Sequence, residues 1–294
     1  MWYYVELLTN GMLIGTLYSL IALGFVLIYK ASDVINFAQG EFVMFAGYVV
    51  AACVQLYGVP LLPAIAAGMI AMIVLGFAIE MAVLKHLIGR PVVAVIMATI
   101  GLASFLRGLA PLLWGIETKN LRLPIPQDPV VVGEVMISPA QIFAAAVSLA
   151  SIALIGWFFA KSRTGVALRA IADDQQAAMA MGIDVKRYFA ISWAIAGIVA
   201  LVGGVIWGNL LGVDIQLALV GLKVFPVVIL GGLDSVLGAI LGGVIVGAVE
   251  SLAAGFLDPL VGGGTKDFTP YVLMIAVLMV RPYGLFGKAD IERV

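Results

Sequence analysis

Six stretches of this chain, residues 7–29, 61–84, 92–114, 141–160, 188–211 and 236–257, each run for twenty or more residues with at most one charge apiece. At about 1.5 Å of rise per residue, a helix of that length crosses a bilayer hydrocarbon core of about 30 Å. No water is present at that depth to hydrogen-bond the backbone, so segments like these must satisfy it internally, as helices do. Composition agrees, with 63% apolar and 11% charged residues against about 45–50% and about 25% in a soluble domain. The expectation is an all-α integral membrane protein, a polytopic helical bundle built as one transmembrane domain over residues 1–294. Three shorter apolar runs, 42–57, 217–230 and 268–280, bring the total to about nine membrane segments. The last rises only about 20 Å, so these three are expected to be tilted, broken or re-entrant.

Between two of the long spans lies the longest charged, helix-prone run, residues 164–189, TGVALRAIADDQQAAMAMGIDVKRYF. Asp173 followed three residues later by Gln176 fits a capping box, and Gly182 suits the left-handed residue that ends a helix. A short helix over 174–181 is therefore predicted. Ala170, Ala177, Ala178 and Met181 fall at helical spacing on one side, a small apolar face suited to a pocket on a partner. The competing reading is an ordinary solvated connector.

The run RAIADDQQAAMAMGI at 169–183, followed by an apolar helix, resembles the cytoplasmic coupling loop of bacterial ABC importer permeases, and within them the branched-chain amino-acid (LivH-type) permeases. DVINFAQGE at 33–41 and RPYGLFG at 281–287 resemble the same family, so the likeness covers nearly the whole chain. It implies a membrane permease subunit of the bacterial inner membrane. Its implied partners are two cytoplasmic ABC ATPases, a second homologous permease subunit, and a periplasmic binding protein that delivers branched-chain or other hydrophobic amino acids. Urea and short-amide importers have very similar permeases, and that alternative stays open. The resemblance also implies an ATPase-coupling set of Arg169, Asp173, Asp174, Ala177, Ala178, Met181 and Gly182.

Charge placement orients the chain. If residues 161–187 are the cytoplasmic loop, alternation puts Lys30, Lys85, Arg90, Lys161, Arg163, Arg169, Lys186, Arg187, Arg281, Lys288 and Arg293 inside, and only Lys119, Arg122 and Lys266 outside. Eleven against three is a strong positive-inside bias, and it requires an external amino terminus, a cytoplasmic carboxy terminus and an odd number of crossings. The amino terminus has no basic n-region or small-residue cleavage site and is read as retained. The external loop 116–138 carries Pro124, Pro126 and Pro129 before a valine run, which predicts an ordered loop with a short hairpin. It serves as a binding-protein docking surface or as a plain connector.

Much chemistry is excluded. No Gly-x4-Gly-Lys-[Ser/Thr] loop occurs, so ATP hydrolysis is expected on partner subunits and the chain is not an enzyme. A single histidine, His86, and a single cysteine, Cys53, leave no metal site or disulfide, and no cofactor is expected. The charge is segregated by membrane side, with no basic patch for nucleic acid, and lipid is the expected surround. Polar residues at membrane depth usually have a task or a partner. Asn36, Gln39, Glu41, Arg107 and Glu250 are the candidates for a translocation path, with Asn36 to Glu41 read as a helix break. Arg107 and Glu250 are expected to pair with each other, and Lys223 to snorkel to the outer surface. An ion-coupled secondary transporter is the rival class, kept open by the short segments near Gly40 and Gly231.

Overall fold

The computed structural model describes residues 2–87 and 90–287. The cytoplasmic assignments of Lys288 and Arg293 lie outside the described residues. Among the described residues, eleven α-helices and one hairpin follow in order. They are α1 (Trp2–Ser32), α2 (Gln39–Gln55), α3 (Leu61–Ala82), α4 (Val92–Trp114), the strands β1 (Val130–Val132) and β2 (Val135–Ile137), and α5 (Pro139–Lys161). After them come α6 (Arg163–Asp173), α7 (Gln175–Ala180), α8 (Val185–Leu211), α9 (Leu219–Gly231), α10 (Val236–Val261) and α11 (Thr265–Val280). Among the described residues six helices are long and apolar enough to cross a membrane: α1, α3 with the 3-10 turn after it, α4, α5, α8 and α10. The three shorter apolar runs of the sequence became α2, α9 and α11, and α2 begins at Gln39, three residues before the expected start at 42.

Punctuation follows backbone chemistry. Pro60 and Pro91 precede α3 and α4, and Pro139 opens α5, where a missing N–H costs nothing because that group has no partner in the first turn. The hairpin forms where the valine run predicts it, with Val132 opposite Val135 in an antiparallel ladder.

The chain divides into two compact units. One contains the described residues of Met1–Val26, Pro124–Ala150 and Leu222–Val294. In it α1 and α10 cross where glycines face each other: a Cβ at Gly15 would sit 2.5 Å from the Gly243 carbonyl oxygen, and one at Gly243 would sit 2.7 Å from the Gly15 oxygen. Ser19 Oγ then donates to the Ile240 carbonyl at 2.8 Å. Lipid tails are as apolar as the helix surface, so close backbone approach and such hydrogen bonds replace hydrophobic drive. At the end of α9 the chain breaks at Gly231 and Gly232, and Ser235 Oγ caps α10 by accepting from Gly238 N at 3.0 Å. The segment 281–287 folds back on that break. Leu285 N donates to Leu230 O at 2.8 Å and Phe286 N to Gly231 O at 3.0 Å, which satisfies carbonyls left over at the helix end.

The other unit contains Leu27–Leu123 and Ser151–Gly221. Its core is α2, α3 and α8, with Phe42 edge-on to Trp193 at 5.8 Å and Tyr48 stacked on Trp114 at 5.6 Å. The first part of the loop between α4 and β1 is pinned here. Lys119 and Val213 exchange two backbone hydrogen bonds, and Asn209 Oδ1 accepts from Leu123 N at 3.0 Å.

A methyl group tests the helix crossing. Gly243→Ala should destabilise by about 1–3 kcal/mol through overpacking, read as a lower melting temperature of the purified protein in detergent. Gly101→Ala, where an added Cβ meets nothing within 4 Å, should stabilise by about 0.5–1 kcal/mol. Equal responses would refute the close-packed crossing.

Candidate functional sites

Three polar constellations stand out, each within one unit. The first is the break between α1 and α2. After Ser32 the backbone leaves the helix through Asp33, at φ +54°, and re-enters at Gln39. The freed groups are satisfied locally. Asn36 Oδ1 accepts from Ala38 N at 3.0 Å, its Nδ2 donates to Gln39 Oε1 at 3.1 Å, and Gln39 Nε2 donates to the Ala196 carbonyl of α8 at 3.4 Å. Thr99 Oγ1 of α4 donates to the Ile35 carbonyl at 3.3 Å. Asn36, Gln39 and Thr99 are fully buried. Beside this knot Gly40 meets Gly221 of α9 backbone to backbone, with Cβ positions that only glycine leaves vacant. The break expected at Asn36 to Glu41 is therefore present. Thr99, which nothing in its own sequence context singles out, completes it.

Glu41, in the first turn of α2 where a carboxylate complements the helix dipole, is buried and ion-paired with Arg107 of α4, whose side chain is 45% exposed. The expected Arg107–Glu250 pair is thus corrected, since each residue has another partner. The spacing within each helix shows which faces are polar but not which helices become neighbours.

The second constellation is the loop between α5 and α8. Ser162 caps α6 by accepting from Gly165 N at 2.9 Å, and Asp174, not Asp173, caps α7 by accepting from Ala177 N at 2.9 Å. Asp173 is the last residue of α6, so the predicted capping box with Gln176 does not form and α7 spans Gln175–Ala180. Gly182 lies at φ +83°, past the helix end as expected. The single small face is also corrected. Ala170 lies on a different helix from Ala177, Ala178 and Met181, and Ala178 is buried in a core with Ala31, Leu168, Ile171, Val185 and Phe189. What remains outward is Ala177, Met179 at 51% and Met181 at 84% exposure, with Val166 of α6. Arg169 Nη1 donates to the Phe159 carbonyl and so ties α6 to α5.

The third lies around Glu250 of α10. Tyr18 Oη of α1 donates to Glu250 Oε1 at 3.3 Å, and Lys223 Nζ of α9 stands 3.8 Å from that oxygen and 2.7 Å from Asp267 Oδ1 of α11. Lys223 is therefore ion-paired, with its ammonium against the exposed Asp267 carboxylate at the start of α11. Pro226 removes the N–H that would bond the Leu222 carbonyl four residues earlier, and Tyr271 Oη supplies the replacement at 3.0 Å.

The Glu41–Arg107 pair makes a checkable demand. Arg107→Leu strands a buried carboxylate and should cost roughly 3 kcal/mol, seen as earlier thermal unfolding in detergent. Adding Glu41→Gln should recover most of that loss. A double variant no more stable than the single one would contradict the pairing.

Comparison with known proteins follows this geometry from end to end. A family model described as the branched-chain amino acid transport system permease component matches residues 7–278. The high-affinity branched-chain amino acid transport system permease protein BraD of Pseudomonas aeruginosa is 32% identical, covering 100% of this chain and 99% of that protein. LivH of Escherichia coli is 30% identical over 99% of this chain and 98% of its own length. A probable LivH of Methanocaldococcus jannaschii is 28% identical over 96% and 92%. Among solved structures, PsaBC from Streptococcus pneumoniae in complex with Fab shares the fold, at 15% identity and a TM-score of 0.53 over 95% of this chain and 93% of that one. With the match running from α1 into α11 and covering its relatives nearly whole, this multi-pass membrane chain belongs to the branched-chain amino acid transport system permease family.

Proposed function

We propose that the chain is one membrane subunit of an ATP-driven importer in the bacterial inner membrane, admitting branched-chain and other hydrophobic amino acids delivered by a periplasmic binding protein. Both compact units act as one permease domain. The core pairs this chain with a second, homologous permease subunit, and two cytoplasmic ATPases hydrolyse ATP; the chain itself carries no phosphate-binding loop. The observation that carries this reading, beside family membership, is the mounting of α7. Its outer side presents Ala177, Met179 and Met181, while its inner side is locked through Ala178 onto Val185 and Phe189 of α8. An ATPase that moves α7 thus moves a 27-residue helix with it, because packed side chains and rigid elements carry the displacement. Arg169, Asp174 and Gly182 shape the loop that presents this surface.

The eleven-to-three distribution of lysine and arginine supports a cytoplasmic α6–α7 loop, an external amino terminus and an odd number of crossings, for which nine is the simplest count. Nine requires α2, α9 and α11 each to count as a crossing. At 17 and 16 residues α2 and α11 rise about 25 Å, enough with interfacial anchoring. The break at Asn36 to Glu41, with Arg107 beside it, is read as part of the path, since irregular backbone at that depth persists only where it is buried in protein or lines a cavity.

Ala177→Glu with Met181→Glu should cut leucine uptake by the reconstituted importer by about tenfold, as loss of a packed contact worth about 1.4 kcal/mol would, while the chain still inserts. Ala178 is left intact because it belongs to the core. Unchanged uptake would refute the docking surface, and gradient-driven uptake by the chain without ATPases would refute the importer class. In a Cys53→Ser background, an impermeant thiol reagent applied outside should label Asn120→Cys and miss Gln175→Cys. The reverse pattern would overturn the topology.

A further inference from the structure

The structure assigns a solute subsite to the Tyr18, Lys223 and Glu250 cluster: Glu250 takes the ammonium and Lys223 the carboxylate of a zwitterionic α-amino acid. This assignment rests on the transport reading above. Glu250 is 4% exposed and lies 14 residues into α10, about 21 Å from its start. At such depth a carboxylate kept only for packing should have donors on both oxygens, because a half-satisfied buried charge is worse than an apolar replacement. Glu250 is half satisfied. Oε1 has the Tyr18 hydroxyl and, more distantly, Lys223; Oε2 is buried with no hydrogen-bond partner. An ammonium group is the donor that would complete it.

Lys223 supplies the other half. It sits closer to Asp267, at 2.7 Å, than to Glu250, at 3.8 Å, and the Asp267 side chain is 75% exposed. A pair with so exposed a partner is weak and exchangeable. An incoming carboxylate can replace Asp267 on Lys223 without leaving Asp267 desolvated. The lysine is held in place for this, because the hydrogen bond from Tyr271 to the Leu222 carbonyl fixes the backbone one residue before it. Opposite charges 3.8 Å apart suit a group that carries both signs as substituents of one carbon. An inorganic cation at Glu250 would face the Lys223 ammonium and be repelled.

The test is equilibrium binding of radiolabelled leucine to the purified permease–ATPase complex without binding protein, beside leucine uptake by the complete importer. Wild-type complex should bind leucine and should bind leucinamide and 4-methylpentanoate, each lacking one charge, about tenfold more weakly, as loss of one charge-assisted contact predicts. Lys223→Met with Glu250→Gln, which removes both charges together, should abolish leucine binding. Asp267→Asn should tighten it by about two- to fivefold, because a weak competitor for Lys223 is gone. A purely structural cluster predicts the opposite: the double variant binds like wild type and Asp267→Asn changes nothing, and either result overturns the assignment. If the double variant does not assemble, Asp267→Asn decides alone, since that side chain is exposed. An importer that takes up leucine normally while its permease complex binds none refutes the subsite only, whereas a wild-type importer that carries no leucine refutes the transport reading and the subsite with it.

Discussion

Several helix breaks among the described residues are answered by a specific donor or acceptor, because a buried backbone group freed from its helix has no water to turn to. Leu222 loses its N–H partner to Pro226 and gains the Tyr271 hydroxyl. Asn36 folds onto Ala38 N, and Thr99 reaches the Ile35 carbonyl. The last carbonyls of α9 are taken by Leu285 and Phe286. These replacements hold the short helices α2 and α9 in place. Some of the polar residues that look anomalous in an apolar sequence, Asn36 among them, are such partners, and others pair with one another as charges.

Once the breaks are closed, packing is a matter of how near two helix backbones can come. Gly15 and Gly243 in one unit, and Gly40 and Gly221 in the other, stand where no Cβ fits. In lipid that proximity supplies the dispersion contacts and interhelical hydrogen bonds which elsewhere the exclusion of water would supplement. The Gly40–Gly221 meeting also brings the starts of two broken segments together, next to the buried Glu41–Arg107 pair.

The α6–α7 loop shows how one short helix serves two masters by dividing its faces. Ala178 belongs to the core under the loop, whereas Ala177, Met179 and Met181 face outward.

Much of this was legible beforehand. The bounds of α4 were readable to the residue, because an apolar run between Pro91 and Gly115 leaves few alternatives, and the hairpin at Val130–Ile137 and the stop at Gly182 follow from local conformational preference alone. Local energetics also placed a cap at the start of α7, although two adjacent aspartates offer nearly equal caps and only the packing of α6 against its neighbours selected Asp174. Which charges meet was beyond the sequence. Arg107 chose Glu41, Lys223 found Asp267 and Glu250, and Ala178 turned inward, because ion pairs and burial depend on which helices become neighbours. Residue order determined the helices, their breaks and the side chains able to mend them, since those are contests between a backbone and its nearest few residues. Partner choice among distant polar groups was decided only by the tertiary structure, because the energies of pairing and burial exist only once the helices have packed.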